Sequence, residues 1–418
     1  MAMLSPSLKR LLNLAVGLTL CLSLSSARSP LKPRAECVVP ANNDGTDDTA
    51  GILEAFSKCR SHGRIVFQNT TYYINQVMNT TNLVETDIEI HGTLLWSDDI
   101  DYWLSHSQYT GFQNGSAAWF LGGTNVTVNG FGYGTLDGNG QAWYDFVKGE
   151  SNYPNRPHGL AIWGANNLSL IDFRMVQSQM WSVAIMHSRD ILVDGVYIRS
   201  VSSSRQPARN TDGYDTIDCD RVTFRNLYVR NGDDAIAIKG NSTNILVEDS
   251  VFDNSLGLAF GSLGQYIGAS EVVENITARN IFCNGTLHGA YVKTWSGDVV
   301  NYPPNGGGGG TGYLRNATLT NFTLYEVETE TFSVTQCTTF SGGNPDCDSS
   351  LFEISDITIR NWNGDTASSY VARMDCSAAS GGCKNITIED VAITNTVTGS
   401  EVSGYRCSDV SGVSGFEC

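Results

Sequence analysis

The stretch Asp190-Ile-Leu-Val-Asp-Gly-Val-Tyr-Ile determines how this chain folds, because the same pattern returns along the sequence. Further copies begin at Asp220, Asn244 and Asn275, and each copy places an Asn or Asp before a short alternating segment. Alternation with period two, rich in Ile, Val, Thr and Phe, indicates a β-strand. Asn and Asp tolerate the left-handed turns with which a strand changes direction. The pattern therefore predicts short strands separated by sharp bends.

The copies form an array that begins at about residue 85, and successive copies lie roughly 23 to 42 residues apart. The shortest spacings suit one coil of three or four short strands, whereas the longer ones add a loop to that coil. No long helical pattern separates the strands, so a doubly wound α/β sheet is disfavoured. An all-β array of this kind is typical of a solenoid or a propeller. The short strand pairs favour a single-domain parallel β-helix, which we expect to span residues 28–418.

The two ends of such a coil need covers, because they expose strand edges and core residues. At the first end, Asp47-Asp48-Thr49 precedes Ala50-Gly51-Ile52-Leu53-Glu54-Ala55-Phe56. An acidic N-cap followed by a helical apolar face predicts a capping helix there. The cysteine-rich tail after Cys376 is expected to close the other end.

The first 27 residues have the features of a secretory signal peptide. Lys9 and Arg10 precede an apolar run, and Ser25-Ser26-Ala27 provides small residues for cleavage. The run is too short and too rich in Ser for a transmembrane helix. The formal net charge of -17 argues against a nucleic-acid partner, because nucleic-acid binders carry basic patches. We therefore expect a secreted, extracellular protein with no membrane or nucleic-acid partner.

Secretion also predicts the chemistry of the cysteines. Of the 11 in the sequence, Cys21 leaves with the signal peptide, and ten remain. An even number in an oxidising compartment indicates disulfides rather than metal ligands. Close spacing in the sequence suggests the pairs Cys37–Cys59, Cys337–Cys347, Cys376–Cys383 and Cys407–Cys418, which leaves Cys219 and Cys283 as a remaining pair. Dense Asn-x-Ser/Thr sequons indicate a glycosylated surface. The candidate asparagines are Asn69, Asn79, Asn114, Asn125, Asn167, Asn241, Asn275, Asn284, Asn316, Asn321 and Asn385.

Polar groups recur at the same spacing in one part of the array. Asn210-Thr211-Asp212-Gly213 is followed about 21 residues later by Gly232-Asp233-Asp234, and then by Ser255-Leu256-Gly257 and Tyr291-Val292-Lys293. If one coil takes about 22 residues, these groups form a column on neighbouring strands about 4.8 Å apart. Repulsion among three close carboxylates raises at least one pKa, which leaves a protonated acid beside a charged base.

An acid beside a base is the arrangement that glycoside hydrolysis requires, and inverting enzymes separate the two carboxyl groups by roughly 6.5–9.5 Å. A diagonal pair on neighbouring coils is expected to span that distance. Two alternatives remain open at this point. The motifs are also compatible with two ordinary turns, or with the calcium site of a β-helical lyase.

The motifs Asn210-Thr211-Asp212, Gly232-Asp233-Asp234 and Gly261-Ser262-Leu263-Gly264 resemble the polygalacturonase family, glycoside hydrolase family 28. The resemblance implies a right-handed parallel β-helix, an inverting mechanism, no metal or cofactor, and pectin as substrate. Carried over by motif, Asp233 is the general acid, and Asp212 and Asp234 activate the water. The continuation to Gln265-Tyr266, together with Lys293-Thr294-Trp295, resembles the exo-acting branch.

Two positions depart from the family pattern. Leu256 stands where the family has a histidine, and Tyr291 stands where it has an arginine, although Lys293 is kept. In the family these basic groups lie near the acids and hold a galacturonate carboxylate, for which the planar fork of Arg is suited. Their loss suggests that at least one sugar beside the cut is uncharged, with rhamnose as a candidate.

The predicted activity is exo-hydrolysis of pectin with release of terminal galacturonate. The alternative is a rhamnogalacturonan hydrolase or α-L-rhamnosidase, and an alternative of another class is a β-helix that binds polysaccharide without cleaving it. We expect substrate contacts from Asn210, Gln265, Tyr291 and Lys293, with His288 as a substitute for the lost basic groups. The expected partner is a pectic polysaccharide or oligosaccharide bound to a monomer.

Overall fold

Parallel strands wind into a long coil in a computed structural model that describes residues 34–340 and 345–418. Residues 35–418 form one unit by their internal contacts. The predicted signal peptide, residues 1–27, lies outside the described residues. Within the described ranges, no helix is both long and apolar enough to cross a membrane.

The helices are few and short, and strands make up most of the coil. The helices are α1 (Thr49–Cys59), α2 (Ile100–His106) and α3 (Gly140–Val147), with 3-10 turns at Cys347–Ser349 and Ala378–Ser380. The strands of the first half are β1 (Ala35–Val38), β2 (Gly63–Phe67), β3 (Thr71–Ile74), β4 (Met78–Ile90), β5 (Thr93–Trp96), β6 (Gln108–Tyr109), β7 (Ser116–Asn129), β8 (Thr135–Asp137), β9 (Pro157–Trp163), β10 (Asn166–Ile171), β11 (Arg174–Val176), β12 (Val183–Met186), β13 (Arg189–Asp194), β14 (Tyr197–Arg199) and β15 (Tyr214–Ile217). Those of the second half are β16 (Asp220–Arg225), β17 (Tyr228–Arg230), β18 (Ile236–Ile238), β19 (Ser242–Asp253), β20 (Leu258–Leu263), β21 (Ser270–Asn284), β22 (Ala290–Trp295), β23 (Thr311–Val327), β24 (Phe332–Thr338), β25 (Leu351–Thr366), β26 (Tyr370–Asp375), β27 (Cys383–Asn395), β28 (Glu401–Val402), β29 (Gly404–Ser408) and β30 (Val410–Ser411).

The strands stack in three parallel faces, which confirms the predicted right-handed parallel β-helix. One face runs from β1 and β2 through β4, β7, β10, β13, β16 and β19 to β27. A second contains β3, β5, β8, β11, β14 and β17. The third contains β9, β12, β15, β18, β20, β22, β24, β26 and β29, and it carries the site described below. Antiparallel pairing joins β6 to β7 and β28 to β27.

The bends between faces use the residues that the repeat predicted. Asp190, Asn244, Asn275 and Asn316 all have positive φ, between 55° and 61°. This left-handed conformation is costly for most side chains, but Asn and Asp adopt it more readily. The recurring Asn or Asp therefore marks each corner of the coil.

Inside the coil, apolar side chains from successive turns lie directly above one another. Ile191 pairs with Val222, Val222 with Ile245, and Ile245 with Ile276. All four are at most 2 % exposed. A side chain in this column buries its apolar surface against the coil before and the coil after, so stability comes from stacking neighbouring repeats.

The first end of the coil is covered by helix α1, as predicted. Ile52 and Phe56 of this helix are buried against the core. Asp48 occupies the N-cap position, but its side chain makes no capping bond to the helix. Its carboxylate instead accepts the backbone N–H groups of Asn42 at 2.7 Å and Tyr73 at 2.8 Å. Asp48 therefore ties the helix to the first coil.

The four disulfides predicted from close spacing are all present: Cys37–Cys59, Cys337–Cys347, Cys376–Cys383 and Cys407–Cys418. The predicted pairing of the remaining two cysteines was wrong, because Cys219 and Cys283 are both free and buried. Cys219 follows β15 on the third face, with its Sγ 3.2 Å from the carbonyl oxygen of Ile185. Cys283 lies in β21 and pairs with Phe252, on a different face. The two thiols are kept apart by the coil.

Candidate active site

On the third face, one column of stacked side chains contains three alanines, and these leave room for the candidate site. Ala184, Asp215, Ala237, Ala259 and Tyr291 occupy successive positions in register on β12, β15, β18, β20 and β22. The ring of Tyr291 packs against Ala237 and Ala259. Because alanine side chains are short, the tyrosine can lie back along the column toward the earlier coils.

The three predicted catalytic acids meet above this column. The N–H of Gly213 donates to the carbonyl of Asp234 at 2.9 Å, so Asp212 and Asp234 hold equivalent places on neighbouring coils, as the spacing predicted. One carboxylate oxygen from each of Asp212, Asp233 and Asp234 lies within 4.8 Å of the other two. These nearest oxygens show that the three side chains converge on one point. The separation of roughly 6.5–9.5 Å between the acid and base carboxyl groups stays a prediction.

Asp234 is held from two directions. It is fully buried, and the Nζ of Lys293 donates to its Oδ2 at 2.7 Å. The hydroxyl of Tyr291 donates to its Oδ1, and Lys293 also contacts that hydroxyl at 3.2 Å. Both carboxylate oxygens of Asp234 are therefore engaged by side chains of β22. The two residues that were expected to contact substrate therefore contact this acid directly.

Asp212 and Asp233 are in a different electrostatic situation. Burial raises the pKa of Asp212 well above its usual range, and the charges of Asp233, Asp215 and Asp234 add to the effect. Burial also raises the pKa of Asp233, with repulsion from Asp234 added and the ammonium of Lys293 opposing it. The pair therefore retains a proton at pH values where isolated carboxyl groups have lost it, which gives an acid beside a base.

Asn210 contacts the site through its backbone. Its N–H donates to Oδ2 of Asp233 at 3.0 Å, and its side-chain Oδ1 accepts the N–H of Asn152 at 2.8 Å. Asn210 has a φ of 57°, which turns the chain sharply before Asp212. It therefore lines the cleft and orients Asp233, while its predicted contact with substrate stays a prediction.

A fourth acid close to the cluster, Asp215, was not singled out from the sequence. Asp215 is 0 % exposed, and the Nζ of Lys239 lies 3.2 Å from its Oδ1. Burial raises the pKa of Asp215 to about 7, although the charge of Lys239 opposes the rise. Lys239 also donates to the carbonyl of Gly261 at 3.2 Å. The sequence did offer a signal for this pair: Asp215 comes three residues after Asp212, and Lys239 comes five residues after Asp234.

The cleft that holds the acids has a volume of about 340 Å³. Its lining includes Asp212, Asp233, Leu256, His288, Tyr291 and Lys293. The Nδ1 of His288 lies 2.7 Å from the carbonyl oxygen of Glu330, and burial lowers the pKa of this histidine. His288 is thus in the cleft as proposed, but burial favours its neutral form, which cannot replace the charge of an arginine.

A wall of loops stands beside the cleft. The Nε2 of Gln113 donates to the Oε1 of Gln265 at 2.6 Å, and Gln265 donates to the carbonyl of Pro304 at 3.0 Å. The Nδ2 of Asn152 donates to the Oδ1 of Asn305 at 2.9 Å. Gln265 is 2 % exposed and is not among the residues that line the cleft. The structure places it in this wall and not in the expected substrate contact.

A second cavity of about 380 Å³ adjoins the wall and shares Gln113, Asn152 and Trp181 with the catalytic cleft. Trp181 is 3 % exposed and stacks on His158 with ring centroids 4.1 Å apart. Its other neighbour is Lys239, whose ammonium lies 4.9 Å from the ring centroid. Trp181 is therefore both packed and at the border between the two cavities.

The three aspartate oxygens are also close enough to ligate a cation. The ammonium of Lys293 already lies 2.7 Å from Asp234, so a metal ion would compete with it for that carboxylate. The chemistry available without a metal is proton transfer and activation of water between neighbouring carboxyl groups.

Comparison with known proteins shows the family of the chain. The family model described as "Glycosyl hydrolases family 28" matches residues 46–414. An α-L-rhamnosidase, rgxB, of Aspergillus niger is 44 % identical over 95 % of this chain and 92 % of its own. An exopolygalacturonase of Cochliobolus carbonum is 35 % identical over 90 % of this chain and 84 % of its own. The endo-xylogalacturonan hydrolase structure from Aspergillus tubingensis has a TM-score of 0.78 at 27 % identity and covers 92 % of this chain and 98 % of that chain. The chain is a glycosidase, and it belongs to glycosyl hydrolase family 28.

Proposed function

We propose that this chain is a secreted, exo-acting hydrolase that removes the terminal non-reducing sugar from pectin with inversion of configuration. The observation that carries the proposal is the cluster of Asp212, Asp233 and Asp234 at the base of a walled cleft. Two of these acids have raised pKa values, and the third is compensated by Lys293. Such a cluster provides both proton donor and base at one point.

The roles follow from the environment of each acid. Asp233 is the most exposed of the three, so it is the one best placed to protonate the leaving glycosidic oxygen. Asp212 and Asp234 then hold a water molecule and accept its proton as it attacks. Lys293 and Tyr291 already occupy both oxygens of Asp234, which leaves Asp212 as the group that exchanges a proton during the reaction.

The wall supports the exo mode of action. Its contacts join segments that lie more than 150 positions apart in the sequence, with separations of 152 for Gln113–Gln265 and 153 for Asn152–Asn305. Gln113 and Asn152 border both cavities. A hydrogen-bonded barrier beside the acids would limit how far a polysaccharide chain extends past the scissile bond.

Two terminal sugars are candidates. Galacturonate is supported by the relative named exopolygalacturonase. Rhamnose is supported by the 44 % identical relative named α-L-rhamnosidase and by Leu256 and Tyr291. These two side chains give the cleft an apolar border, which suits a deoxy sugar without charge.

The decisive experiment is product analysis after incubation with polygalacturonate and with rhamnogalacturonan, side by side. Free galacturonate from the first establishes the galacturonidase, whereas rhamnose from the second alone establishes the rhamnosidase. Following the anomeric configuration of the first-formed product by NMR tests inversion, and a retained configuration would refute it. An unsaturated product that is lost with chelator would indicate a lyase. Binding without any product would indicate the non-catalytic alternative.

A further inference from the structure

Three cationic side chains other than histidine line the catalytic cleft, and two of them are neutralised within the protein. Lys293 is paired with Asp234 at 2.7 Å and Lys239 with Asp215 at 3.2 Å. Arg209 lines the same cleft and is exposed, and within the described residues its guanidinium has no carboxylate partner. Arg209 is therefore the cation in the cleft that is available to an anionic ligand.

The backbone of Arg209 is held in place by the buried side chain of Arg156. Arg156 is 1 % exposed, and its Nη1 donates to the carbonyl of Arg209 at 2.9 Å, while its Nε donates to the carbonyl of Gln179 at 2.5 Å. The next residue, Asn210, donates its N–H to Asp233 at 3.0 Å. The backbone of Arg209 is thus fixed, and it lies one residue before the N–H that binds the proposed general acid.

The opposite side of the acids cannot hold a carboxylate in the same way. Tyr291 lies three strands further along the third face than Asp215, and its hydroxyl is engaged by Asp234. Leu256 is half-buried beside it. This side offers an aromatic ring and an aliphatic side chain, whereas the Arg209 side offers a free guanidinium.

We propose that Arg209 binds the carboxylate of a uronic acid next to the scissile bond, while the Tyr291 and Leu256 side takes an uncharged sugar. The proposal rests on the proposed function and specifies its substrate as a linkage between a uronate and a neutral sugar. A guanidinium matches a carboxylate through two parallel hydrogen bonds, which a lysine cannot reproduce. Arg209 would thereby take over, from the other side of the acids, the role of the arginine that the family pattern has where this chain has Tyr291.

The test compares Arg209→Gln with wild type on rhamnogalacturonan oligosaccharides and on the same oligosaccharides after reduction of their carboxylates to alcohols. Hydrogen bonds to charged groups contribute roughly 1.5–3 kcal/mol, so kcat/KM for the acidic substrate should fall about 10- to 100-fold, mainly through KM. The reduced substrate should be hydrolysed equally well by both enzymes. Arg209→Lys should recover only part of the loss.

Arg205→Gln provides the matched control, because Arg205 is exposed in the same loop and does not line the cleft. It should behave as wild type on both substrates. The proposal is overturned if Arg209→Gln keeps the wild-type ratio of kcat/KM between the acidic and the reduced substrate, or if its kcat/KM falls equally on both. Either result leaves the hydrolase assignment intact. A wild-type enzyme without activity on any pectic substrate would instead count against the proposed function.

A binding assay makes the inference independent of turnover. In the Asp233→Asn background, Arg209→Gln should weaken binding of the acidic oligosaccharide at least 10-fold and leave binding of the reduced one unchanged. If Asp233→Asn with and without Arg209→Gln binds the acidic oligosaccharide equally well, the role of Arg209 is refuted even in an inactive protein.

Discussion

Tyr291→Phe tests whether the tyrosine acts on the catalytic acid or on the substrate. The substitution removes the hydroxyl that donates to Oδ1 of Asp234 and keeps the ring that packs on Ala237 and Ala259. A hydrogen bond to a charged group contributes roughly 1.5–3 kcal/mol, and each 1.4 kcal/mol corresponds to a tenfold change. Lys293 continues to hold Oδ2 at 2.7 Å, so the loss should lie near the lower end of that range.

We therefore expect kcat to fall about 10- to 30-fold, with KM changed by less than about twofold. The assay is the initial rate of reducing-end release over a range of substrate concentrations, on whichever pectic substrate gives product. Tyr325→Phe is a suitable control because Tyr325 is 48 % exposed and does not line the cleft. Equal thermal unfolding midpoints of the two variants would exclude a general loss of folding.

The opposite kinetic pattern would refute the reasoning. If kcat is unchanged and KM rises, the hydroxyl contributes to substrate binding and not to the position of Asp234. If neither parameter changes, Lys293 alone holds the carboxylate, and the substitution of arginine by Tyr291 has no catalytic consequence through this bond.

Three further predictions follow from the site and the surface. Asp233→Asn should lower kcat by about 10²- to 10⁴-fold without loss of oligosaccharide binding, since it removes the general acid, and retained turnover would refute that role. The raised pKa of Asp215 makes its contribution to stability fully present at acidic pH and lost as pH rises through about 7. The unfolding free energy of wild type minus that of Asp215→Asn, measured by chemical denaturation, should therefore decrease between pH 5 and 8, and an increase in this signed difference would contradict the prediction. Asn69 is exposed, whereas Asn275 donates to Asn244 at 3.0 Å and accepts from Asn316 at 2.7 Å, so peptide mapping should find a glycan on Asn69 and none on Asn275.

The fold and the positions of the acids were predictable because both follow from one local rule. Each coil repeats an Asn or Asp corner and an alternating apolar segment, and the repeat of about 22 residues places Asp212 and Asp234 on neighbouring coils. A periodic structure converts sequence spacing directly into distance. This is why the column of polar groups was visible without coordinates.

The remaining features depend on contacts that the repeat does not encode. Gln265 looked like a cleft residue by its motif, but its partner Gln113 is 152 positions away and draws it into the wall. Asp215 lies in β15 and Lys239 directly follows β18, and only the pairing of these two strands shows that the side chains form a buried ion pair. The even number of cysteines suggested a fifth disulfide, yet pairing depends on which face each thiol occupies.

The charges around the acids indicate how substrate preference can change while catalysis is kept. Lys293 and Lys239 are each bound to a buried aspartate, so they set the charge of the cluster and are not available to a ligand. Tyr291 donates to Asp234 and brings no positive charge to that side of the cleft. Arg209, whose guanidinium has no carboxylate partner among the residues that the structure describes, supplies a cation on the other side. Specificity in this cleft is therefore set by where the unpaired cation lies, and not by how many cations surround the acids.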